Sequence, residues 1–141
     1  MKPFEFHELA VELSARANPA AVRTGISRSY YACFHGARQM LREMAIPVSA
    51  GPAAHGEVRR CLLNSENAHL RKAGSELGVL HSMRLQADYD LNDASTEESG
   101  ALQFCIQKGA AILSVYEACL KEPAKSRVAA GINAYLRKLK P

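Results

Sequence analysis

Apolar residues recur along this chain at helical spacing, and no stretch alternates with the two-residue period of a strand. From Phe4 to Ala17, Leu9, Leu13 and Ala17 fall on one side of a first helix. Asn18-Pro19 then reads as an N-cap followed by proline at the first helical position. A second, longest helix runs from Pro19 to about Met44, with Ile26, Tyr30, Cys33, Ala37, Leu41 and Met44 forming a core-facing stripe. It stops before Ile46-Pro47, because proline pushes its predecessor out of the α region. Ser49 to Pro52 is a loop, and Ala54 to Leu63 a short helix broken by Asn64-Ser65.

A further long helix is expected from about Glu66 to Tyr89, with Leu70, Ala73, Leu77, Leu80, Arg84 and Ala87 on one line. Gly74 and Gly78 inside it cost about 1 kcal/mol each relative to alanine, which makes sense where another backbone comes close. Asn92-Asp93 is a turn, and Ser95 with Glu98 forms a capping box for the next helix. Leu102, Cys105, Gly109, Leu113, Tyr116 and Leu120 line that helix, and Pro123 closes it. Ser126 can cap a last helix lined by Val128, Ile132, Tyr135 and Leu139. Short loops favour antiparallel neighbours. The expectation is therefore all-α: one domain over residues 1–141, an up-and-down four-helix bundle core at about 4–120 with one or two short extra helices, and a C-terminal basic helix at 126–139.

Composition narrows the setting. The 141 residues suffice for one real hydrophobic core. A net charge of +4 tilts mildly toward a polyanionic partner. No apolar run is long enough to span a bilayer, and no secretory signal opens the chain. Cys33, Cys61, Cys105 and Cys119 are scattered, as expected of reduced, buried thiols in a cytoplasmic protein. The five histidines form no H-E-x-x-H or i, i+4 pair, so no metal is expected. No P-loop or G-x-G-x-x-G is present, and no cofactor is expected.

A second line on the long helix is polar: Arg28, Tyr31, His35 and Arg38, with Arg42 nearby. Arg28 and His35, seven residues apart, differ by only about 20° in azimuth. Guanidinium holds a phosphate bidentately, and imidazole moves a proton near neutrality. Together they are the parts for metal-free attack of an RNA 2′-hydroxyl on its own phosphate, with Tyr31 placed to stack a base. The same spacing also describes an ordinary solvated face. A second cluster, His81 to Asp90, puts Arg84 on an apolar line, with Asp88 one turn on as its nearest acid. That pair fixes helix register or meets Arg28 across the bundle, or else lets Asp88 orient Arg28 or His35. The tail from Lys121 holds six lysines and arginines against the single acid Glu122, and reads as a solvated face.

The segments Ser27-Arg28-Ser29-Tyr30-Tyr31-Ala32-Cys33-Phe34-His35 and Arg84-Leu85-Gln86-Ala87-Asp88-Tyr89-Asp90 together resemble the prokaryotic HEPN-domain proteins. The branch in question carries an S-R-x-Y-Y-A-x-F-H helix and a later R-x-x-A-D-Y segment. The resemblance spans roughly Phe4 to Leu120. It implies a helical bundle, commonly dimeric, found in toxin–antitoxin or defence settings, with many members being metal-independent endoribonucleases. The family signature, an arginine, four to six residues and a histidine, maps to Arg28 and His35, with six residues between. His35 would transfer the proton and Arg28 would hold the phosphate, in sites completed across a homodimer. Ser29, Tyr31, Arg38, Arg84, Asp88 and Tyr89 would bind RNA or support the pair. The alternative is a non-catalytic module docking a minimal nucleotidyltransferase-type antitoxin partner through the same groove, and a plain structural bundle is the third reading.

Overall fold

The computed structural model describes residues 1–140. Six helices account for the fold: α1 (Phe4–Leu13), α2 (Pro19–Glu43), α3 (Ala53–Leu63), α4 (Ala68–Tyr89), α5 (Ser99–Cys119) and α6 (Ala124–Lys138), with a 3-10 turn at Ala94–Glu97. No strand is present among the described residues. None of the helices is long and apolar enough to cross a membrane.

The contacts fix the directions. Along α2, Gly25 faces Leu102, Cys33 donates to the Gly109 carbonyl, and Gly36 faces Leu113 and Tyr116, so α2 and α5 run the same way. Arg23 reaches Ala87 while Tyr30 stacks on His81, so α4 opposes α2. Cys105 meets Met83 and Lys108 pairs with Glu76, so α5 opposes α4. Phe4 shares a groove with Met40, whereas Ala15 just beyond α1 lies by Val22, so α1 opposes α2 as well. This is an up-and-down four-helix core of α1, α2, α4 and α5, with α3 and α6 as additions. The parallel pair α2/α5 is its short diagonal. Gly25 permits that approach, since a Cβ there would stand 2.7 Å from a Leu102 methyl.

The stripe expected on α2 is wholly internal: Ile26, Tyr30, Cys33, Ala37, Leu41 and Met44 are all buried. All four cysteines are buried and free. Leu70, Ala73, Leu77, Leu80 and Ala87 of α4 join the same core. On α1 the expectation fails. The helix ends at Leu13, and its buried residues are His7 and Ala10, while Leu9 is exposed. Small Ala10 lets α1 lie close to its neighbours, while Leu9 turns outward and Leu13 is half-buried.

Local signals set most helix ends. The Asn18 side chain accepts from the Ala21 N–H at 2.9 Å, with Pro19 following as expected. The Asn67 side chain accepts from the Leu70 N–H in the same way, so α4 starts one residue after Asn67 rather than at Glu66. α2 ends in a Schellman arrangement: Ile46 N–H to Leu41 carbonyl, Ala45 N–H to Arg42 carbonyl, and Ala45 at φ 59° where glycine is usual. Two expected caps are replaced by neighbouring acids. Asp93, not Ser95 with Glu98, organises the turn before α5 by accepting from the Ser95 N–H. Glu122 accepts from the Ser126 N–H and hydroxyl, so Ser126 lies inside α6 rather than capping it.

α4 approaches α3 at Gly74 and Gly78, where added Cβ atoms would meet Leu62, Leu63 and Arg59 side chains rather than a backbone. The backbone contact belongs to α6, where a Cβ on Gly131 would collide with the Ser65 carbonyl oxygen. The strongest polar tie is Arg23, which is 8% exposed. Its guanidinium donates to the carbonyls of Ala87 (3.0 Å), Asp90 (2.9 Å) and Asp93 (3.1 Å), and to the Glu97 carboxylate (2.6 Å). It thereby satisfies one carbonyl in the last turn of α4, that of its C-cap Asp90, and one in the turn that follows.

Replacing Arg23 with methionine strands those carbonyls and Glu97, and is expected to cost about 3 kcal/mol of folding stability, a loss readable as a lower urea midpoint at unchanged slope.

Candidate functional site

Between Ala21 and Leu41, α2 is buried except at Thr24, Arg28, Tyr31, His35, Gly36, Arg38 and Gln39. The polar line read from the sequence is thus the one open edge of the central helix. Tyr31 is its hub. The Arg28 guanidinium lies 5.0 Å from the Tyr31 ring centre, and the Arg84 guanidinium lies 5.0 Å from it as well. The His35 ring stacks on Tyr31 at 5.8 Å. From α1, Phe6 meets both members of the pair, 4.7 Å from the Arg28 guanidinium and 6.0 Å from the His35 ring. Arg28 and His35 therefore share two aromatic neighbours. Cation–π contacts of this kind contribute roughly 0.5–2 kcal/mol each.

A polar relay anchors the guanidiniums. Arg84 donates to the Asp88 carboxylate at 2.9 Å, and the Ser27 hydroxyl donates to the same oxygen at 3.1 Å. Arg28 in turn donates to the Ser27 oxygen at 3.3 Å. The Arg84–Asp88 pair thus meets Arg28 across the bundle, with Ser27 between them. Tyr89, 73% exposed, lies under the far side of Arg84. On the other flank, Lys2, Phe6, His35, Arg38, Arg42 and Glu43 line a groove of about 600 Å³. Its charged wall is mostly cationic, so it concentrates positive potential beside His35.

Ser29 does not belong to this face. One residue beyond Arg28 is a 100° turn, which sends its side chain inward, where it is fully buried with an unpartnered hydroxyl. It cannot contact RNA as expected.

Three residues that the sequence did not assign complete the surroundings. Phe6 arrives from α1, and Ser27 bridges two charged groups. His55 on α3 stacks on Phe34 at 4.3 Å and on His81 at 5.2 Å. No spacing could have flagged His55, because its neighbours lie on other helices. The His55 and His81 rings stand face to face at 6°, which keeps their nitrogens from converging on one point. Among the described residues, no three His, Cys, Asp or Glu side chains gather as a metal ion would require.

Burial, and then the guanidiniums of Arg38 and Arg28 and the nearby His55, lower the His35 pKa below its ordinary value. His55 is lowered by burial, Arg84 and Arg38, and His81 by burial, His55, Arg84 and Arg59. These imidazoles are thus biased toward the neutral form, in which one nitrogen accepts a proton. The arrangement can do two things: bind an anion with arginines, and remove a proton with His35. Compared with protein-family models, with curated proteins and with solved structures, the chain matches none.

Because folding disfavours protonation of these histidines, the unfolded chain takes up protons first as pH falls. Stability should be full above neutrality and decline as pH drops through 6.5 toward the lower folded values, a trend that urea melts across that range will record. Arg38→Gln or Arg28→Gln should move the His35 titration upward, as followed by NMR.

Proposed function

We propose that this protein is a metal-independent endoribonuclease of HEPN type, with Arg28 and His35 as its catalytic pair. The observation that carries the reading is their shared seat on Tyr31 and Phe6, beside a cationic groove and with the imidazole biased to neutral. In this role His35 takes the proton from a ribose 2′-hydroxyl. The freed oxygen attacks the adjacent phosphorus, and Arg28 stabilises the charge that builds on the phosphoryl oxygens. The bond to the 5′-oxygen breaks, that oxygen takes a proton from water, and the products are a 2′,3′-cyclic phosphate and a 5′-hydroxyl. Tyr31 offers a face for a base, while Arg38 and Arg84 add positive charge.

A homodimer fits this chemistry. One open edge of α2 presents its arginines to bulk water, where phosphate contacts are weak. Two copies facing each other would narrow the space between them and strengthen the field. The toxin or defence role belongs to the same proposal, through the likeness of the two sequence motifs, and docking of a nucleotidyltransferase-type antitoxin partner in the same groove is the alternative reading.

Digesting a mixed RNA pool in EDTA should yield 2′,3′-cyclic ends with wild type, and at least 100-fold less product with His35→Ala or Arg28→Ala. RNA left equally intact by wild type and both variants would favour the docking-module reading. Substituting hydrogen for every 2′-hydroxyl should abolish cutting. Sedimentation at micromolar concentration should show a dimer.

A further inference from the structure

We infer that His55 is a second catalytic group: a neutral imidazole, fixed by Tyr30 with its Nε2–H outward, that donates a hydrogen bond to a non-bridging phosphoryl oxygen of the scissile phosphate. This rests on the ribonuclease reading above and deepens it.

The tautomer follows from the buried partner. The Tyr30 hydroxyl and His55 Nδ1 lie 2.5 Å apart, and Tyr30 is 1% exposed. One of the two must donate. Burial, chiefly, pushes the phenol pKa well up, so the hydroxyl keeps its proton. Were Nδ1 the donor, that hydroxyl hydrogen would be sealed in the core without an acceptor, at the full cost of desolvation. Tyr30 therefore donates to Nδ1, and the proton of the neutral ring sits on Nε2.

That nitrogen is available. The sealed, unpartnered side-chain atoms among the described residues are on His7, Ser29 and Tyr116, and His55 Nε2 is not among them. The His55 ring is half-buried and held between Phe34 and His81, so its direction is fixed in advance. Phe34 also meets His35 at 5.2 Å, and Tyr31 meets both imidazoles, His35 at 5.8 Å and His55 at 6.1 Å, so the two histidines share two aromatic neighbours. Two imidazoles packed on the same pair of rings are near enough for one phosphodiester group to meet both by hydrogen bonds. The Arg38 guanidinium lies 5.6 Å from the same Phe34 ring. With Arg84, it supplies the positive charge that draws a phosphate toward this pair.

The chemistry is division of labour. His35 removes the 2′-hydroxyl proton, while His55 moves no proton and stabilises the charge growing on the phosphoryl oxygen. A donor preset for a transition-state charge needs no reorganisation when the reaction occurs. Neutrality suits this role, because a neutral donor keeps its hydrogen and does not repel the flanking guanidiniums. Tyr30 is a positioning residue, acting through the His55 ring.

Single-turnover cleavage of short RNA tests the assignment. His55→Ala should slow cleavage about 10²–10³-fold, the usual loss for one such donor, whereas His55→Gln, whose amide reaches the Nε2 position, should stay within about tenfold. Sulfur in place of one non-bridging oxygen should slow wild type, and that slowing should vanish in His55→Ala. The His55→Ala deficit should persist with a 5′-thio leaving group, which departs without protonation. Cleavage by His55→Ala within twofold of wild type overturns the inference. So does a deficit that disappears on the 5′-thio substrate, since His55 would then be a proton donor. Nitrogen-15 NMR of the free protein should show the proton on Nε2, and a proton on Nδ1 sinks the proposal whatever the kinetics. Wild type inert on all RNA defeats the ribonuclease reading and the role of His55 with it, while the NMR result still reports separately on the Tyr30 lock. Thermal melts of both variants show whether a loss reflects unfolding.

Discussion

The register of α4 against α2 rests on one buried guanidinium. Arg23 stands one turn before Ser27 on α2, and it takes the carbonyls with which α4 ends. Backbone groups at a helix terminus must find partners, and a single planar side chain with five donors supplies several of them at once. Holding Ala87 and Asp90 at the level of Arg23 puts Asp88 opposite Ser27. The relay from Arg84 through Asp88 and Ser27 to Arg28 then falls into place. The Glu97 carboxylate and the Asp93 carbonyl close the same guanidinium from the other side, so the turn into α5 is tied to that register too.

The site inherits its electrostatics from this packing. Four arginines (Arg28, Arg38, Arg59 and Arg84) bear on the histidines, and the acid found close among them is Asp88, already shared between Arg84 and Ser27. Aromatic faces take up part of the balance: Tyr31, Phe6, Phe34 and Tyr89 each lie under a guanidinium. Stacking suits arginine, whose weakly hydrated plane loses less on leaving water than an ammonium does. The consequence is a surface rich in positive charge whose imidazoles are biased to neutrality.

Much of this was legible in the amino-acid order, because periodicity reports which face is dry. The buried stripe of α2, the Asn18 cap and the partly buried Arg84 with its acid one turn on all follow from local spacing. Leu9 misled, since on a short helix packed through alanine the smaller face turns inward. Ser126 and Ser95 misled because an acid just upstream accepts from the N–H and hydroxyl of each serine, so the serine is the donor there rather than the cap. Arg23 gave no signal, since an arginine early in a helix looks solvated until its carbonyl partners, more than sixty residues away, are known. His55 was silent for the same reason. The pair at Arg28 and His35 could be placed on one edge by counting residues, whereas Phe6 and the Ser27 bridge needed three dimensions.

The single open edge of α2 separates two demands on one helix. Every other side of it is fixed by close packing, where the loss of a methyl group is felt throughout the core. Residues on the edge are mostly half-buried against aromatic rings, so exchanging one of them perturbs charge and those local contacts rather than the core. A change of charge along this edge would therefore alter the surface field while leaving the core beneath it intact. Stability would register only the loss of the local cation–π contacts.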